Sequence, residues 1–347
     1  MDFIIYKNNK LSFSKLKGIK TGLIFFFILA TGLFLTNSNF SFASDNEKRI
    51  IGIDYGPFRK GQDPSKGVFP SSLQLCEDME ILKHVADIIR IYSVDHGHEE
   101  ILKCAADAGI EVVTGAWLTH NEKNNHEQIE NLVRIANTYN NIPFIVVGNE
   151  GIFRFGKGWP EGYAKGVVIE HIKRIKQQVD CPVTTSEPWS IWRDNPDLVH
   201  AVDFIFLNIH PYWEEIDIDK AIDHTFNKFM EIKNKYKFKK IIISETGWPS
   251  DGDANGASVA SIENQKKFLE GFLELAKKEK IDFFFFSAFD EEYKVKEPNR
   301  VGPHWGIYFA DGTKKHYIDT LKDKTDSFPE IMPIISINQD QKIRGRR

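Results

Sequence analysis

The fold is decided by one stretch of the sequence, which reads Lys240-Ile241-Ile242-Ile243-Ser244-Glu245-Thr246-Gly247-Trp248-Pro249-Ser250. Three consecutive isoleucines predict a strand that is buried on both faces, as strands of parallel sheets are. Gly247, Pro249 and Ser250 then end that strand, so Glu245 lies where the strand becomes a loop. A lone glutamate at this position is most simply interpreted as a solvated or salt-bridged residue.

A second stretch repeats the pattern and changes that interpretation. The apolar run Pro143-Phe144-Ile145-Val146-Val147 leads into Gly148-Asn149-Glu150-Gly151. Side chains at the carboxyl ends of parallel strands meet at one end of a barrel. The two glutamates are therefore expected to face each other across a pocket.

Strand-like and helix-like segments alternate along the chain, which is typical of βαβ units around a parallel sheet. The helical patterns lie near residues 73–84, 98–108, 127–139, 163–178, 194–201, 218–234 and 260–278. Eight strands are predicted, at residues 51–55, 88–92, 111–117, 144–148, 183–186, 204–209, 241–244 and 283–289. Eight such units close as a (β/α)₈ TIM barrel, and no glycine-rich nucleotide turn follows the first strand.

The domain organisation follows from composition. Residues 50–322 contain no linker or repeat and are predicted to form a single catalytic barrel. The preceding segment has five lysines, an apolar run over residues 21–35 and small residues near Ala43, a pattern that predicts a signal peptide over residues 1–43. An uncleaved membrane anchor is the alternative. The polar residues 323–347 are expected to be a disordered tail.

Charge and cysteine content exclude several classes of function. A formal net charge of −4 gives no case for nucleic-acid binding, and 13% aromatic residues would suit stacking on sugar rings. We expect a monomer without metal or cofactor, located outside the cell or in the periplasm. Cys76 and Cys104 lie on helical patterns and are predicted to be buried free thiols.

Polar and aromatic side chains accumulate at the predicted strand ends, which is the signature of a site for a neutral, hydroxyl-rich ligand. Two glutamates in such a mouth match glycoside hydrolysis, in which one carboxyl group protonates the leaving oxygen and the other attacks or stabilises the anomeric carbon. The candidate substrate-binding residues are Tyr55, Arg90, Tyr92, Asn149, Asn208, Tyr212, Trp248 and Glu291.

Four motifs together resemble family 17 of the glycoside hydrolases, the β-1,3-glucanases: Val147–Glu150, Ser244–Ser250, Arg90–Tyr92 and Asn208–Tyr212. The resemblance spans nearly all of residues 50–320. It implies a (β/α)₈ barrel, Glu245 as nucleophile, Glu150 as acid/base, and a reaction that retains anomeric configuration on a β-1,3-glucan substrate. His210 departs from the tyrosine of plant members, and the chain is closer to the bacterial and fungal branches, some of which transfer glucan.

Roles for the supporting residues are hypotheses. Arg90 either orients Glu245 or pairs with another carboxylate at the rim. The phenol of Tyr212 is expected near the nucleophile, and Trp248 is expected to stack on a sugar. Glu291 is a candidate ligand contact. A retaining pair should have its carboxyl groups about 5–5.5 Å apart.

Three classes of function compete on this reading. The first is a retaining enzyme that hydrolyses or transfers β-1,3-glucan, and the second is a glucan-binding protein without catalysis, which two glutamates disfavour. The third is another barrel enzyme. The strand ends carry neither the clustered histidines of a metal-dependent hydrolase nor the glycine-rich phosphate loop of an aldolase.

Overall fold

The computed structural model describes residues 51–95, 97–158 and 162–318. The expected signal peptide at residues 1–43 and the expected tail at residues 323–347 lie outside these described residues. Among the helices described, none combines the length and apolarity that crossing a membrane requires.

Eight parallel strands close into a barrel in chain order, with β8 pairing with β1. The strands are β1 Ile51–Asp54, β2 Ile88–Arg90, β3 Glu111–Ala116, β4 Ile145–Asn149, β5 Val183–Pro188, β6 Ile205–Asn208, β7 Ile241–Thr246 and β8 Asp282–Phe285. The predicted (β/α)₈ fold is confirmed.

Nine described α-helices lie among these strands: α1 Ser72–Leu82, α2 Glu99–Ala108, α3 Glu122–Thr138, α4 Gly151–Gly156, α5 Lys165–Ile175, α6 Trp189–Asp194, α7 Pro196–Ala201, α8 Ile218–Lys235 and α9 Ile262–Glu279. The three longest helices, α3, α8 and α9, are each capped at the N-terminus by a side chain that accepts a hydrogen bond from a backbone N–H of the first turn. These capping residues are Asn121, Asp217 and Ser261. The helices α4 and α6 were not predicted, because six residues are too few to show helical periodicity.

The barrel interior is packed by aromatic rings from alternate strands. Phe144, Phe204, Phe206 and Phe284 contact one another edge to face, with ring centroids 4.8 to 6.2 Å apart. Gly52 on β1 leaves room for this layer, since a Cβ there would lie 2.4 Å from the ring of Phe284. This aromatic layer lies inside the barrel, below the residues at the carboxyl ends of the strands.

The prediction of free thiols at Cys76 and Cys104 is wrong. The two residues form a disulfide between α1 and α2, with Cα atoms 4.8 Å apart, and Cys181 is the free cysteine. Each was correctly placed on a helix, but helical periodicity does not show which helices pack together. Cross-linking residues 28 positions apart stabilises the fold by about 3.6 kcal/mol in the chain-entropy account.

Candidate active site

Irregularities in β4 and β7 change which side chains of these two strands face the barrel mouth. In β7, Ile243 pairs with Leu207 and Glu245 with Asn208, so Ser244 is an extra residue and both Ser244 and Glu245 point inward. The register of β4 shifts likewise before Asn149.

The shift in β4 depends on a glycine. Gly148 has φ of 83°, and a Cβ there would lie 2.0 Å from the hydroxyl of Tyr163. Glu150 follows in the left-handed region with φ of 52°, a conformation that is uncommon outside glycine and is typical of functional sites. Its N–H donates to the carbonyl of Ser186 at 2.7 Å, which holds the turn against β5.

Glu245 is 4% exposed and is surrounded by hydrogen-bond donors. Its Oε1 accepts from Arg90 Nη1 at 2.9 Å and from the Tyr92 hydroxyl at 3.2 Å. Its Oε2 lies 3.1 Å from His210 Nε2. Burial alone would raise the pKa of Glu245, but the charge of Arg90 and the bonds from His210 and Tyr92 outweigh it and lower this pKa to about 2. Glu245 is therefore a carboxylate at neutral pH.

Arg90 connects the two glutamate-bearing strands. Its Nη1 also donates to the carbonyl of Ser244 at 3.0 Å, and its Nη2 donates to Oδ1 of Asn149 at 2.8 Å. The guanidinium lies 4.5 Å from the ring centre of Tyr92 and 4.9 Å from that of Phe206. Both hypotheses for Arg90 match a contact, since its Nη1 lies 2.9 Å from Glu245 Oε1 and 3.4 Å from Oδ1 of Asp54, a second carboxyl group at a strand end.

Glu150 has an opposite environment. Asn208 Nδ2 donates to its Oε1 at 2.9 Å. Burial raises the pKa of Glu150, and the negative charge of Glu245 raises it further, against smaller effects from Arg154 and Asn208. The two carboxyl groups of the mouth therefore differ in proton affinity, as a general acid and a nucleophile must.

Two serines fix the orientation of the Asn208 amide. The hydroxyl groups of Ser186 and Ser244 both donate to Asn208 Oδ1, the former at 2.8 Å. Since Oδ1 accepts these bonds, the amide nitrogen must face Glu150. Residues from the three neighbouring strands β5, β6 and β7 thus position the hydrogen bond that Asn208 donates to Glu150.

Three predicted substrate-binding residues are instead part of the core. Tyr55, Tyr212 and Trp248 are each 0% exposed. Their polar atoms donate to Asp78 Oδ2, to the carbonyl of Asp253 and to the carbonyl of Val259 respectively. The predictions that Tyr212 lies on the nucleophile and that Trp248 stacks on a sugar are therefore wrong, as is the assignment of Tyr55 to substrate.

The aromatic residues that border Glu245 are different ones. Tyr92, which was predicted, contributes its hydroxyl, and its ring is only partly buried. The ring of His210 packs against Phe286 and Trp305, with centroids 5.4 and 5.5 Å away. Glu291 is buried and pairs with Lys294 at 2.5 Å, beside Gly56.

Sequence reasoning assigned no role to three further residues of the site, although each lies at or just after the end of a strand. His210 was noted only as a departure from plant sequences. Glu187 accepts from the N–H groups of Ile152 and Phe153 at 2.8 and 3.2 Å, and so anchors α4 directly after Glu150. Asp54 ends β1 and is fully buried beside Arg90. For Glu187 and Asp54 the available signal was an acidic residue at the end of a strand.

The finding that Tyr92, and not Tyr212, donates to Glu245 can be tested with two matched variants. A hydrogen bond to a charged group contributes about 1.5–3 kcal/mol, so Tyr92→Phe is expected to lower kcat/KM roughly 10- to 100-fold. Tyr212→Phe removes the same hydroxyl from the core and should change kcat/KM less than about threefold. Steady-state kinetics of both, with unfolding temperatures as a control, decide the matter. Equal losses in the two variants would contradict the arrangement described.

Among the described residues, no three His, Cys, Asp or Glu side chains converge as a group that could hold a metal ion.

Residues 52–306 match the BtgE/BtgC glycoside hydrolase domain family. A probable glucan endo-1,3-β-glucosidase btgC of Aspergillus fumigatus is 30% identical over 276 residues, which are 72% of this chain and 39% of that protein. A putative enzyme of the same name from Aspergillus niger is 29% identical over 285 residues. The chain spans about two fifths of the length of these curated relatives.

Solved structures give the same result. A glycoside hydrolase family 17 β-1,3-glucanosyltransferase from Rhizomucor miehei is 26% identical, with a TM-score of 0.66 over 77% of this chain and 96% of that one. An active-site mutant of a β-1,3-glucanosyltransferase from Rhizomucor miehei, in complex with laminaritriose, has a TM-score of 0.67. An endo-laminarinase from Formosa, 21% identical with a TM-score of 0.68, shares the fold. The resemblance to family 17 is confirmed.

Proposed function

Because the chain belongs to the BtgE/BtgC family of glycoside hydrolase domains, we propose that it cleaves β-1,3-glucosidic bonds of a glucan with retention of anomeric configuration. The observation that carries this proposal is the opposite environment of two glutamates in one mouth: Arg90 holds Glu245 ionised and lowers its pKa, whereas burial and the charge of Glu245 raise the pKa of Glu150. A retaining mechanism requires the two carboxyl groups to lie about 5–5.5 Å apart.

In the first step, Glu245 attacks the anomeric carbon while Glu150 gives its proton to the leaving oxygen. A glycosyl ester forms on Glu245. Glu245 loses its negative charge when the ester forms. That charge is the main one that raises the pKa of Glu150, so this pKa falls. Glu150 is then a carboxylate and can serve as the base.

In the second step, Glu150 removes a proton from water, which attacks the anomeric carbon and releases Glu245. A sugar hydroxyl in place of water would give transfer. Asn149 supports both steps in this proposal. Arg90 occupies its Oδ1, so its amide hydrogens are the ones that face a sugar hydroxyl next to the reacting centre.

The substrate assignment rests on the relatives. The Aspergillus proteins are named as glucan endo-1,3-β-glucosidases, and the Rhizomucor structures as β-1,3-glucanosyltransferases. Both names specify the same linkage, so β-1,3-glucan is the proposed substrate and glucosyl transfer is the second candidate activity. A glucan-binding protein without catalysis would have no need of two glutamates with opposed proton affinities.

We also propose that the chain is exported, with one catalytic barrel as its functional unit. The disulfide between Cys76 and Cys104 supports this location, because disulfides persist in oxidising compartments and are rare in the cytosol.

Product analysis on defined oligosaccharides tests the proposal. Laminari-oligosaccharides of five or six units should be cleaved, whereas cello-oligosaccharides of the same length should be left intact. Chromatography of early products would show shorter sugars alone for hydrolysis, and additional longer ones for transfer. Cleavage of the cello series at a comparable rate, or of neither series, would contradict the assignment.

A further inference from the structure

Asp54 is a buried carboxyl group that the two-glutamate mechanism leaves unexplained. It is 0% exposed at the end of β1. Its Oδ1 lies 3.4 Å from Arg90 Nη1, and its Oδ2 has no hydrogen-bond partner among the described residues. Buried polar groups are nearly always paired, and an isolated buried carboxylate is costly. A group with so little support calls for a functional explanation.

Glu245 competes with Asp54 for the same guanidinium. Arg90 Nη1 has two hydrogens, and it is closer to the Ser244 carbonyl at 3.0 Å and to Glu245 Oε1 at 2.9 Å than to Asp54. Burial raises the pKa of Asp54 well above its usual value, Arg90 lowers it in part, and the charge of Glu245 raises it. Tyr92 also faces Asp54 and lowers this pKa. While Glu245 is ionised, burial and this neighbouring negative charge therefore both favour the protonated form of Asp54.

The covalent step changes this balance. When Glu245 becomes a glycosyl ester, Arg90 loses its nearest anion although it is only 1% exposed. A buried cation left without a partner is strongly unfavourable. We propose that Asp54 is a reserve counter-ion for Arg90, neutral while Glu245 is a free carboxylate and ionised while Glu245 is an ester.

The step balances in bonds and charge. In the first half-reaction the bond from the Glu245 carboxylate to the anomeric carbon forms and the glycosidic bond breaks. The O–H bond of Asp54 then breaks, and its proton passes to solvent water. When water hydrolyses the ester, Glu245 regains its charge and Asp54 takes a proton back. Asp54 thus acts as a positioning residue, because it keeps Arg90 in place between the two half-reactions. The inference rests on the proposed covalent mechanism.

Infrared difference spectroscopy on a trapped intermediate tests the inference. The variant Glu150→Gln removes the acid/base carboxyl from the spectrum, and a dinitrophenyl 2-deoxy-2-fluoro-β-laminaribioside needs no acid to form the ester. Mass spectrometry establishes the adduct. Trapping is expected to remove one carbonyl stretch of a protonated carboxylic acid, and this band should shift when aspartate carries a ¹³C-carboxyl label. In the matched double variant Glu150→Gln/Asp54→Asn, the carbonyl band that disappears on trapping in Glu150→Gln should already be absent before trapping.

The alternative results are distinguishable. An adduct that forms while every protonated-acid band persists would overturn the role of Asp54 and leave the covalent mechanism intact. Absence of an adduct would instead overturn the covalent mechanism, and the role of Asp54 with it. If the double variant does not fold, the label-dependent loss in Glu150→Gln alone still decides between these outcomes.

Discussion

Glu245→Gln is expected to lower kcat on β-1,3-glucan by on the order of 10⁴-fold or more, because removal of a nucleophile abolishes the covalent route. Glutamine is the appropriate replacement. It has nearly the same volume, and its carbonyl oxygen can still accept from Arg90 and Tyr92, whose bonds now end on Oε1. Alanine would also remove the oxygen that accepts from Arg90 and Tyr92.

The measurement is release of reducing sugar over long incubation, with the unfolding temperature as a check on folding. Glu263→Gln is the matched control, since Glu263 is exposed in the first turn of α9 and should leave activity unchanged. The loss should also persist on an aryl glycoside with an activated leaving group. Residual activity of Glu245→Gln within about a hundredfold of the parent chain would contradict its role as nucleophile.

Glu150→Ala is expected to lose on the order of 10²–10⁴-fold on glucan but to form the glycosyl ester readily from a dinitrophenyl glycoside, which needs no acid. Deglycosylation then lacks its base, so ester accumulates. Azide needs no base, and it should restore turnover and give a β-glycosyl azide. Kinetics with and without azide, with NMR of the product, provide the test. No effect of azide, or an α-glycosyl azide from this variant, would contradict the assignment.

The pH dependence should distinguish the same two roles. Activity on glucan requires a protonated Glu150, whose pKa is raised above its usual value by burial and by Glu245, so kcat/KM should fall as the pH rises through that pKa. In Glu150→Ala with the activated glycoside, this alkaline decline of the glycosylation step should disappear.

Local patterns were sufficient to predict the barrel and the position of two glutamates at its mouth. The isoleucines before Glu245 and the valines before Glu150 identify buried strands, and glycine marks where each strand ends. The carboxyl ends of all parallel strands lie at the same end of a barrel. The position of each glutamate at the end of its strand was therefore enough to predict that the two lie near each other.

The direction of side chains beyond the strand ends could not be predicted. The register shifts in β4 and β7 break the alternation of inward and outward residues, so counting along the chain fails there. Trp248 and Tyr212, which lie beyond the ends of β7 and β6, pack into the core, while Tyr92 supplies the phenol that contacts Glu245. The disulfide was missed for a related reason, since it depends on which helices are neighbours.

The central claim is that Glu245 and Glu150 act as nucleophile and acid/base in a double displacement. Proton NMR of the first products from a laminari-oligosaccharide, recorded before mutarotation, tests this most directly. The mechanism proposed here predicts that the new reducing end appears first as the β anomer. Initial appearance of the α anomer would show a single inverting displacement and would contradict the claim.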